Sequence, residues 1–456
     1  MDTRALPAAA ELCRDYDLLP QNGHIVCAVS GGADSVCLLH WLNSRRGQYG
    51  FRLTAAHYNH GLRGEESNRD EAFVRSFLSK CCPDVPLVVG SGDVAAQAAR
   101  DKAGIEETAR EMRYAFLRHT ARSVGADVIA TAHNANDNAE TILLHLIRGS
   151  GLQGLTGIAP KRGDLIRPLL TTERSAIEAY LRIYGLPHVE DSSNGDERFA
   201  RNRVRRQLMP LLRQMQPQFL SHMTHTARLL EQDEAYLTGQ ATQLLSPVHP
   251  IPGGLWTDAA PIAAQPDALA ARMVRILLHE VNKDGGKCSA PHLRAIVSLC
   301  RGADPSAQLS LPDGLVARRV YDRLELVQPD PQDLPAPCHL PLPGELTLPR
   351  GTIRVEQTVY DGSPQTPCSF FLSCVQTQQG LIVRSRLTGD TLARPNRVRR
   401  TLKKILIDEK IPSHTRNLLP VLDCRGRVAA VAGLGPDADF LAVPGEPCWH
   451  IVCTPQ

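Results

Sequence analysis

A short loop of small and hydroxyl-bearing residues offers the clearest chemistry in the sequence. An apolar run ends at Ser30-Gly31-Gly32-Ala33-Asp34-Ser35, and a second apolar run follows directly. This order predicts a strand, a phosphate-binding turn and a helix, because glycines let the backbone approach a phosphate and a helix N-terminus favours an anion. An isolated Gly-Gly pair would indicate only an ordinary turn. The accompanying hydroxyls and carboxylate favour an ATP-binding loop formed by Ser30, Gly31, Gly32, Ala33, Asp34 and Ser35.

A carboxylate beside phosphates needs a partner of opposite charge. Asp34 therefore predicts either a contact to Mg²⁺ or a group that orients the reactants. The loop is not the P-loop of nucleoside triphosphatases, because Ala33 stands where that pattern requires lysine. The sequence thus favours a nucleotide site of a different type.

The second predicted strand ends in the polar segment His60-Gly61-Leu62-Arg63. In an open α/β sheet, ligands bind in the loops at the carboxyl ends of the parallel strands. We therefore add His60 and Arg63 to the predicted nucleotide-binding residues.

A third polar group follows the predicted strand at 127–132. His133, Asp137 and Glu140 are spaced at i, i+4 and i+7, which places them on one face if the helix already extends there. Such a group could bind a cation or act as a base. Asp137 could also be only a first-turn charge that suits the helix dipole. We assign catalytic roles to all three and to Asp34, and we predict Asp34 and Asp137 as Mg²⁺ ligands.

Two arginines share one side of the predicted helix at 104–117. Arg110 and Arg113 could lie on a solvated face, with ion pairs that contribute little to stability. Alternatively, an arginine here could neutralise a triphosphate. The sequence leaves both interpretations open, and Arg113 joins the candidate catalytic residues.

Composition restricts the class of protein. The chain has 456 residues, of which 43% are hydrophobic and 22% charged, and it carries a formal net charge of +3. These values are typical of a soluble protein of two or three domains. The first residues lack the apolar core of a signal peptide, and no run predicts a membrane span. We expect a cytoplasmic protein whose 13 cysteines, which form no C-x-x-C, bind no metal and make no disulfides.

Alternating strand and helix patterns predict a doubly wound parallel α/β sheet, followed by a helical middle domain and a small α+β domain. The expected boundaries are 1–215 for the catalytic domain, 216–330 for the middle domain and 371–456 for the C-terminal domain. Prolines cluster from 329 to 349. That density favours an extended linker, or edge strands, over a helix, and we place a linker at 331–370.

Two basic segments predict contacts to a nucleic acid. One lies at the exit of the first domain, where positive charge at a helix start favours a bound anion. The other lies between Arg384 and Lys404, where Asp390 is the one acidic residue and apolar positions attach a basic helix to a small core. The predicted contacts are Arg201, Arg203, Arg205, Arg206, Arg397, Arg399, Arg400, Lys403 and Lys404.

The Ser-Gly-Gly-x-Asp-Ser loop resembles that of the PP-loop, or N-type ATP pyrophosphatase, superfamily. An ordered set of further motifs resembles the tRNA(Ile)-lysidine synthetase family. The set comprises the segments at 60–63, 107–117, 130–141, 148–155, 167–170, 190–194 and 201–205. One departure is Asn136, because the family more often has a pair of aspartates at the positions of Asn136 and Asp137. The amide cannot supply a second negative charge, which weakens the case for a two-carboxylate metal site.

The resemblance implies an activity. Such an enzyme uses ATP and Mg²⁺ to join free L-lysine to the wobble cytidine of tRNA(Ile) with a CAU anticodon, through an adenylated cytidine. A PP-loop tRNA thiolase is the nearest alternative, although the absence of C-x-x-C argues against it. A tRNA-binding module with a degenerate nucleotide site is a further alternative, which the intact loop disfavours.

Overall fold

The structure is a computed structural model that describes residues 6–61, 65–189, 200–282, 288–328, 336–395 and 397–455. The chain divides into two compact units, and the boundary falls between Tyr236 and Leu237. None of the helices in the described ranges is long and apolar enough to cross a membrane. All 13 cysteines lie in these ranges, and each is unpaired.

The first unit alternates strands and helices. Its elements are α1 Pro7–Asp15, β1 His24–Ala28, α2 Ala33–Tyr49, β2 Arg52–Asn59, α3 Glu65–Cys81, β3 Leu87–Ser91, α4 Val94–Asp101, α5 Ile105–Val124, β4 Val128–Ala130, α6 Ala135–Ile147, α7 Leu152–Leu155, β5 Lys161–Arg162, β6 Leu165–Ile166, α8 Arg174–Tyr184, α9 Ala200–Arg203, a π-helical turn Val204–Leu208, α10 Met209–Met215 and α11 Phe219–Leu244. The last helix continues past the boundary between the units.

These strands form a six-stranded sheet in the order β3-β2-β1-β4-β6-β5. The first five strands of that order are parallel, and the short edge strand β5 is antiparallel to β6. Strands β2 and β3 lie on one side of β1, and strands β4, β6 and β5 lie on the other. The direction in which successive strands are added to the sheet therefore reverses between β1 and β4. Ligands bind at such a reversal, outside the carboxyl ends of the strands.

Apolar residues cover both faces of this sheet. On one face, Ile25 of β1 packs in a core that includes Leu38 of α2 and Ile177 of α8. On the other face, Val26 packs with Leu117 of α5. The alternation of successive β1 side chains between two cores explains why the strand is continuously apolar. The predicted doubly wound parallel sheet is confirmed.

The second unit is rich in short strands. Its elements are β7 His249–Ile251, β8 Gly254–Asp258, α12 Ala259–Ala264, α13 Asp267–Val281, α14 Ala290–Arg301, β9 Gln308–Ser310, a 3-10 turn Pro312–Gly314, β10 Val316–Val320, β11 Arg323–Val327, β12 Cys338–Leu340, β13 Gly344–Leu348, β14 Gly351–Val359, β15 Ser369–Ser373, β16 Leu381–Arg384, β17 Thr391–Leu392, β18 Arg400–Thr401, α15 Leu402–Asp408, a 3-10 turn Ser413–Leu418, β19 Val421–Cys424, β20 Arg427–Val431, β21 Gly435–Pro436, a 3-10 turn Ala438–Phe440 and β22 Pro447–Pro455.

The middle region contains helices, as predicted, and it also contains a sheet that the sequence did not reveal. Strands β7 to β11 form a five-stranded antiparallel sheet in the order β7-β8-β11-β10-β9. Helices α12, α13 and α14 share one apolar core with the inward side chains of β8, β10 and β11. Strands this short carry little periodicity, which is why the helices dominate the sequence pattern.

The described part of the segment at 331–370 forms strands where we placed an extended linker, and the alternative of edge strands agrees with β12 and β13, which lie at the edges of their sheets. Strands β13 and β14 pair with each other, and β14 pairs with β22 along nine residues. Strand β12 pairs with β16 in a neighbouring sheet. The prolines 341, 343 and 349 lie between these strands, where a missing amide hydrogen costs no ladder hydrogen bond. This segment therefore contributes directly to the C-terminal β-rich fold.

Candidate active site

Hydroxyl groups close the loop between β1 and α2. The Ser30 amide donates a hydrogen bond to Ser35 Oγ at 3.1 Å, and that hydroxyl donates to the Gly32 carbonyl at 2.9 Å. Gly31 has φ 94°, and a Cβ there would lie 3.3 Å from the Phe73 ring. A side chain at this position is thus opposed by both backbone conformation and space. The loop leads into α2 with its hydroxyls and amides gathered in one turn.

A distant segment supports the same loop. The Val189 amide donates to the Gly31 carbonyl at 3.0 Å, and Val189 forms an isolated parallel bridge with Gly32. The segment that follows α8 therefore returns to the loop and fixes its backbone.

Asp34 lies in the first turn of α2 and is held by an arginine of α8. Arg174 Nη1 donates to Asp34 Oδ2 at 2.6 Å, while Oδ1 is buried and has no hydrogen-bond partner in the described part of the chain. Burial raises the pKa of Asp34 above its ordinary value, and the charge of Arg174 opposes that rise. One carboxylate oxygen is therefore bound by Arg174, and the other is buried without a hydrogen bond to the described residues.

Asp137 takes part in the N-terminal cap of α6. The Asn134 side chain accepts hydrogen bonds from the amides of Asn136 and Asp137, and Asp137 Oδ2 accepts one from the Asn134 amide at 3.1 Å. This reciprocal pair is a capping box. The interpretation of Asp137 as a first-turn charge is therefore correct for one of its oxygens.

The other oxygen of Asp137 belongs to a cluster of charges. Arg201 Nη2 and Arg205 Nη2 each donate to Asp137 Oδ1 at 3.1 Å. The same arginines bind Glu140, through Arg201 Nε at 3.0 Å and Arg205 Nε at 2.6 Å. Burial lowers the pKa of Arg205, but hydrogen bonds to Glu140 and the charges of Glu140 and Asp137 raise it above its ordinary value. Two residues predicted to contact tRNA thus contact two predicted catalytic carboxylates.

The helical geometry from Ala200 onward explains why both Arg201 and Arg205 contact Asp137 and Glu140. Arg201 and Arg205 are four residues apart and face α6, whereas Arg203 and Arg206 are exposed. The π-helical turn at Val204–Leu208 continues directly from α9. Such turns occur frequently at functional sites. The contact of all four arginines with tRNA stays a prediction.

His133 lies among arginines. Burial, together with the charges of Arg167, Arg113, Arg201 and Arg110, lowers its pKa to about 3. Its Nδ1 lies 3.1 Å from Thr131 Oγ1. The imidazole is therefore neutral at physiological pH and is a weak proton acceptor, which favours a hydrogen-bonding role over that of a general base.

Arg113 is half-buried, whereas Arg110 is exposed. Burial lowers the pKa of Arg113, and its Cζ lies 5.5 Å from the centroid of the Tyr114 ring. Since its charge acts on His133, Arg113 belongs to this region rather than to a fully solvated face. Its catalytic role stays a prediction.

The residues after β2 are less informative. The half-buried His60 packs edge-on against Tyr58, with ring centroids 5.0 Å apart. Arg63 and the motif at 190–194 lie outside the described residues. Their assignment to the nucleotide site and to the family pattern rests on the sequence.

The two proposed Mg²⁺ ligands differ in their fit to a cation. Asp34 Oδ1 is a buried carboxylate oxygen that accepts no hydrogen bond from the residues that the structure describes, which suits a metal contact. Asp137 has both oxygens engaged, one by the backbone and one by arginines. No group of three or more His, Cys, Asp or Glu side chains that could hold a metal occurs in the described ranges. Beyond Asp34, any Mg²⁺ here would therefore need ligands other than the side chains of the described ranges, such as phosphate oxygens.

Comparison with known proteins identifies the family. A PP-loop domain model matches residues 4–212, a TilS substrate binding domain model matches 258–325, and a TilS substrate C-terminal domain model matches 381–453. The tRNA(Ile)-lysidine synthase of Geobacillus kaustophilus is 32% identical over 441 residues, which cover 93% of each chain. The chain belongs to the tRNA(Ile)-lysidine synthase family. The resemblance seen in the sequence motifs is confirmed.

Two further relatives also match most of this chain. The synthase of Geobacter sulfurreducens is 32% identical over 418 residues, covering 90% of this chain and 88% of that protein. The bifunctional protein TilS/HprT of Listeria monocytogenes is 31% identical over 435 residues. The match covers 93% of this chain but 66% of the bifunctional protein, so the chain spans just under two thirds of that longer relative.

The basic residues of the C-terminal segment differ in their surroundings. Arg399 donates to both oxygens of the buried Asp437, at 2.9 and 3.0 Å, and Arg400 pairs with Asp408 at 2.7 Å. Lys403, Lys404 and Arg397 are exposed. The apolar positions of α15 are buried as expected. Two of the five predicted tRNA contacts are thus engaged with acidic residues of the same unit.

Sequence reasoning missed Arg174 and Arg167. Arg174 is the first residue of α8, the end of a helix where a cation is least favourable. Arg167 is 5% exposed and donates to the Ala159 carbonyl at 2.6 Å, although it stands between apolar residues. A charge at the wrong end of a helix and a charge within an apolar run are the signals that could have revealed them.

Proposed function

We propose that the protein is a carbon–nitrogen ligase that joins L-lysine to C2 of the wobble cytidine of tRNA(Ile) with a CAU anticodon. ATP is consumed, and AMP and pyrophosphate are released. The observation that carries the proposal is the convergence of the Ser30–Ser35 loop and the Asp137–Glu140 carboxylates on the carboxyl edge of one parallel sheet. Membership of the tRNA(Ile)-lysidine synthase family supports it.

The reaction has two steps. Cytosine O2 attacks the α-phosphorus of ATP, and the bond between that phosphorus and the bridging oxygen breaks as pyrophosphate leaves. The lysine amine then attacks C2, the C2–O2 bond breaks, and AMP leaves with that oxygen. In the first step, the Ser30 and Ser35 hydroxyls and the first amides of α2 bind the leaving pyrophosphate.

The cluster formed by Asp137, Glu140, Arg201 and Arg205 suits the second substrate, free lysine. A free amino acid carries an ammonium and a carboxylate, and its recognition needs groups of both signs. Asp137 and Glu140 supply the negative charges, and Arg201 and Arg205 supply the positive ones. A carboxylate beside the attacking nitrogen can also accept the proton that the amine loses on forming the bond to C2.

Mg²⁺ would be held by Asp34. When bound, the ion would supply positive charge that offsets the phosphate oxygens. The chain's own part is to present Asp34 Oδ1 beside the loop, with Oδ2 fixed by Arg174.

The test uses an unmodified tRNA(Ile) transcript, ATP and isotopically labelled lysine. We expect label to enter the tRNA only when ATP is present, with one AMP released for each lysine incorporated. The matched control is a transcript whose anticodon is UAU, which lacks the wobble cytidine and should accept no label. Absence of transfer, or transfer without ATP, would overturn the proposal, and sulfur incorporation from a sulfide donor would favour the thiolase alternative.

A further inference from the structure

Arg174 connects three helices at the ATP loop. Its side chain donates to Asp34 of α2 at 2.6 Å, and its backbone amide donates to Asn136 Oδ1 of α6 at 3.2 Å. Its Nε also donates to Glu178 of α8, one turn further along its own helix, at 3.0 Å. The guanidinium is therefore held in one orientation from two sides.

The position of this arginine is unfavourable for its own helix. Arg174 is the first residue of α8, where the helix dipole contributes partial positive charge. An arginine at this end destabilises the helix unless a negative group offsets it. Asp34 is that group, and Asp34 itself lies in the first turn of α2, where a carboxylate is favourable. The interaction between the two side chains thus accounts for both placements.

A second contact fixes α2 against α8 without Arg174. His40 Nδ1 of α2 lies 2.8 Å from the Tyr180 hydroxyl of α8, and the His40 and Tyr184 rings lie 5.1 Å apart. Tyr180 is 3% exposed and belongs to the core of the first unit. Because this contact holds the helix pair, removal of the Arg174 guanidinium should release the Asp34 side chain without separating the helices.

We propose that Arg174 is a positioning residue for ATP binding, which fixes Asp34 through Oδ2 and thereby directs Oδ1 to the nucleotide and its cation. Asn136 is the second support, because its amide oxygen accepts the Arg174 N–H. Arg174 acts through Asp34 and does not bind the phosphates itself. The inference rests on the proposed use of ATP and extends it to a residue outside the Ser30–Ser35 loop.

The experiment measures binding of the α,β-methylene analogue of ATP, with Mg²⁺, by isothermal titration calorimetry. We expect Arg174→Gln to weaken binding about tenfold, the effect of losing one charge-assisted hydrogen bond at a partly exposed site. Arg174→Lys should recover part of the affinity, because it keeps the charge and loses the planar geometry. Arg182→Gln is the matched control, since Arg182 is exposed on the same helix, and it should bind within about twofold of the wild type.

The decisive comparison is a double-mutant cycle with Asp34→Asn. If Arg174 acts through Asp34, the double variant binds no more weakly than Asp34→Asn alone. Multiplying losses would show that Arg174 contacts the ligand independently, and unchanged binding in Arg174→Gln would show that it does nothing at this site. Either result overturns the inference.

Thermal unfolding of each variant separates positioning from folding. We expect the Arg174→Gln midpoint to stay close to that of the wild type, because the His40–Tyr180 contact remains. A large fall in the midpoint together with lost binding overturns the inference in favour of a structural role. Should Arg174→Gln fail to fold, Arg174→Lys and its double variant with Asp34→Asn complete the same cycle. The titration needs neither tRNA nor lysine, so its outcome is independent of whether lysidine is formed.

Discussion

Arginine–carboxylate clusters occur in both units of the chain, and they differ in what else binds the carboxylate. In the first unit, Glu140 accepts hydrogen bonds from the side chains of Arg201 and Arg205 within the described part of the chain. In the second unit, the buried Asp437 accepts hydrogen bonds from Arg399 and also from the amides of Ala393 and Asp439.

We call the group formed by Asp137, Glu140, Arg201 and Arg205 the exchangeable cluster, and the group formed by Asp437 and Arg399 the fixed cluster. Because Glu140 accepts hydrogen bonds from arginine side chains within the described part of the chain, an arginine that moves from Glu140 to a ligand disturbs no backbone contact of that carboxylate. Asp437 holds two stretches of backbone together, so loss of its arginine weakens the fold around β17 and β18. Basic composition alone therefore does not distinguish a binding surface from a structural support.

The largest effect is expected at the exchangeable cluster. Asp137→Asn keeps an oxygen that can cap α6 but removes the charge that faces Arg201 and Arg205. AMP formation should fall by about 100-fold or more, the size of the effects seen when a positioned acid or base is lost. Release of labelled AMP measures this, and filter binding should show unchanged tRNA affinity.

Asp164→Asn is the control for that variant, because Asp164 is a partly exposed carboxylate of the same unit. It should form AMP at the wild-type rate. AMP formation at the wild-type rate in Asp137→Asn would show that Asp137 has no part in the mechanism. The contrast between the two clusters would then not extend to catalysis.

A smaller effect, on stability rather than activity, is expected at the fixed cluster. Arg399→Gln should lower the free energy of unfolding by about 1–2 kcal/mol, less than for a fully buried pair because the Arg399 side chain is 38% exposed. Urea unfolding followed by tryptophan fluorescence measures the change. Lys403→Gln, on the exposed side of α15, is the control and should leave the midpoint in place. Equal midpoints for the two variants would contradict a structural role for Arg399.

Exposed lysines next to the fixed cluster test the tRNA surface with a smaller effect. The double variant Lys403→Gln, Lys404→Gln should weaken tRNA binding several-fold at low salt and reduce the slope of log affinity against log salt by about 1–2. Electrophoretic mobility shifts over a salt series measure both. Lys80→Gln, an exposed lysine of α3, is the control. An unchanged slope in the double variant would refute contact at α15.

The smallest effect concerns pH. The pKa of His133 is lowered to about 3 from 6.5, so between these values the unfolded chain binds more protons than the folded one. The stabilising contribution is complete above about pH 6.5 and is lost progressively as the pH falls. We expect a loss of at most about 1 kcal/mol between pH 6.5 and 5.5.

His133→Gln should flatten that dependence, whereas His188→Gln, at an exposed histidine, should not. His414 in the second unit has a pKa lowered to about 4 by burial and by Arg318, so it contributes a dependence of the same sign in both variants. Identical pH profiles for wild type and His133→Gln would show that burial and the neighbouring arginines do not lower the pKa of His133.

Local patterns made the loop and its sheet predictable from the sequence. The run from β1 through Ser35 combines an apolar strand, glycines and a helix start within a dozen residues, and the structure retains that order. Asp137 and Glu140 are on one helix, so their common face also followed from spacing.

Long-range pairing was not predictable. Arg174 and Asp34 are 140 residues apart, and they meet only because β6, which precedes α8, enters the sheet beside β4 and β4 lies beside β1. Proline density favoured a linker or edge strands, and β13 is an edge strand, but the interior strand β14 was not predictable because the prolines before it occupy turns. Burial of Asp437 depends on tertiary packing, so the structural role of Arg399 had no local signal.

The bridge between Gly32 and Val189 has a consequence for synthesis of the chain. A nascent polypeptide that has emerged only through β4 contains the whole glycine loop, yet it lacks the amide that binds the Gly31 carbonyl and the guanidinium that binds Asp34. The loop therefore reaches its final form only after the ribosome has made α8 and the residues that follow it. We therefore expect full nucleotide affinity only once the chain extends through Val189.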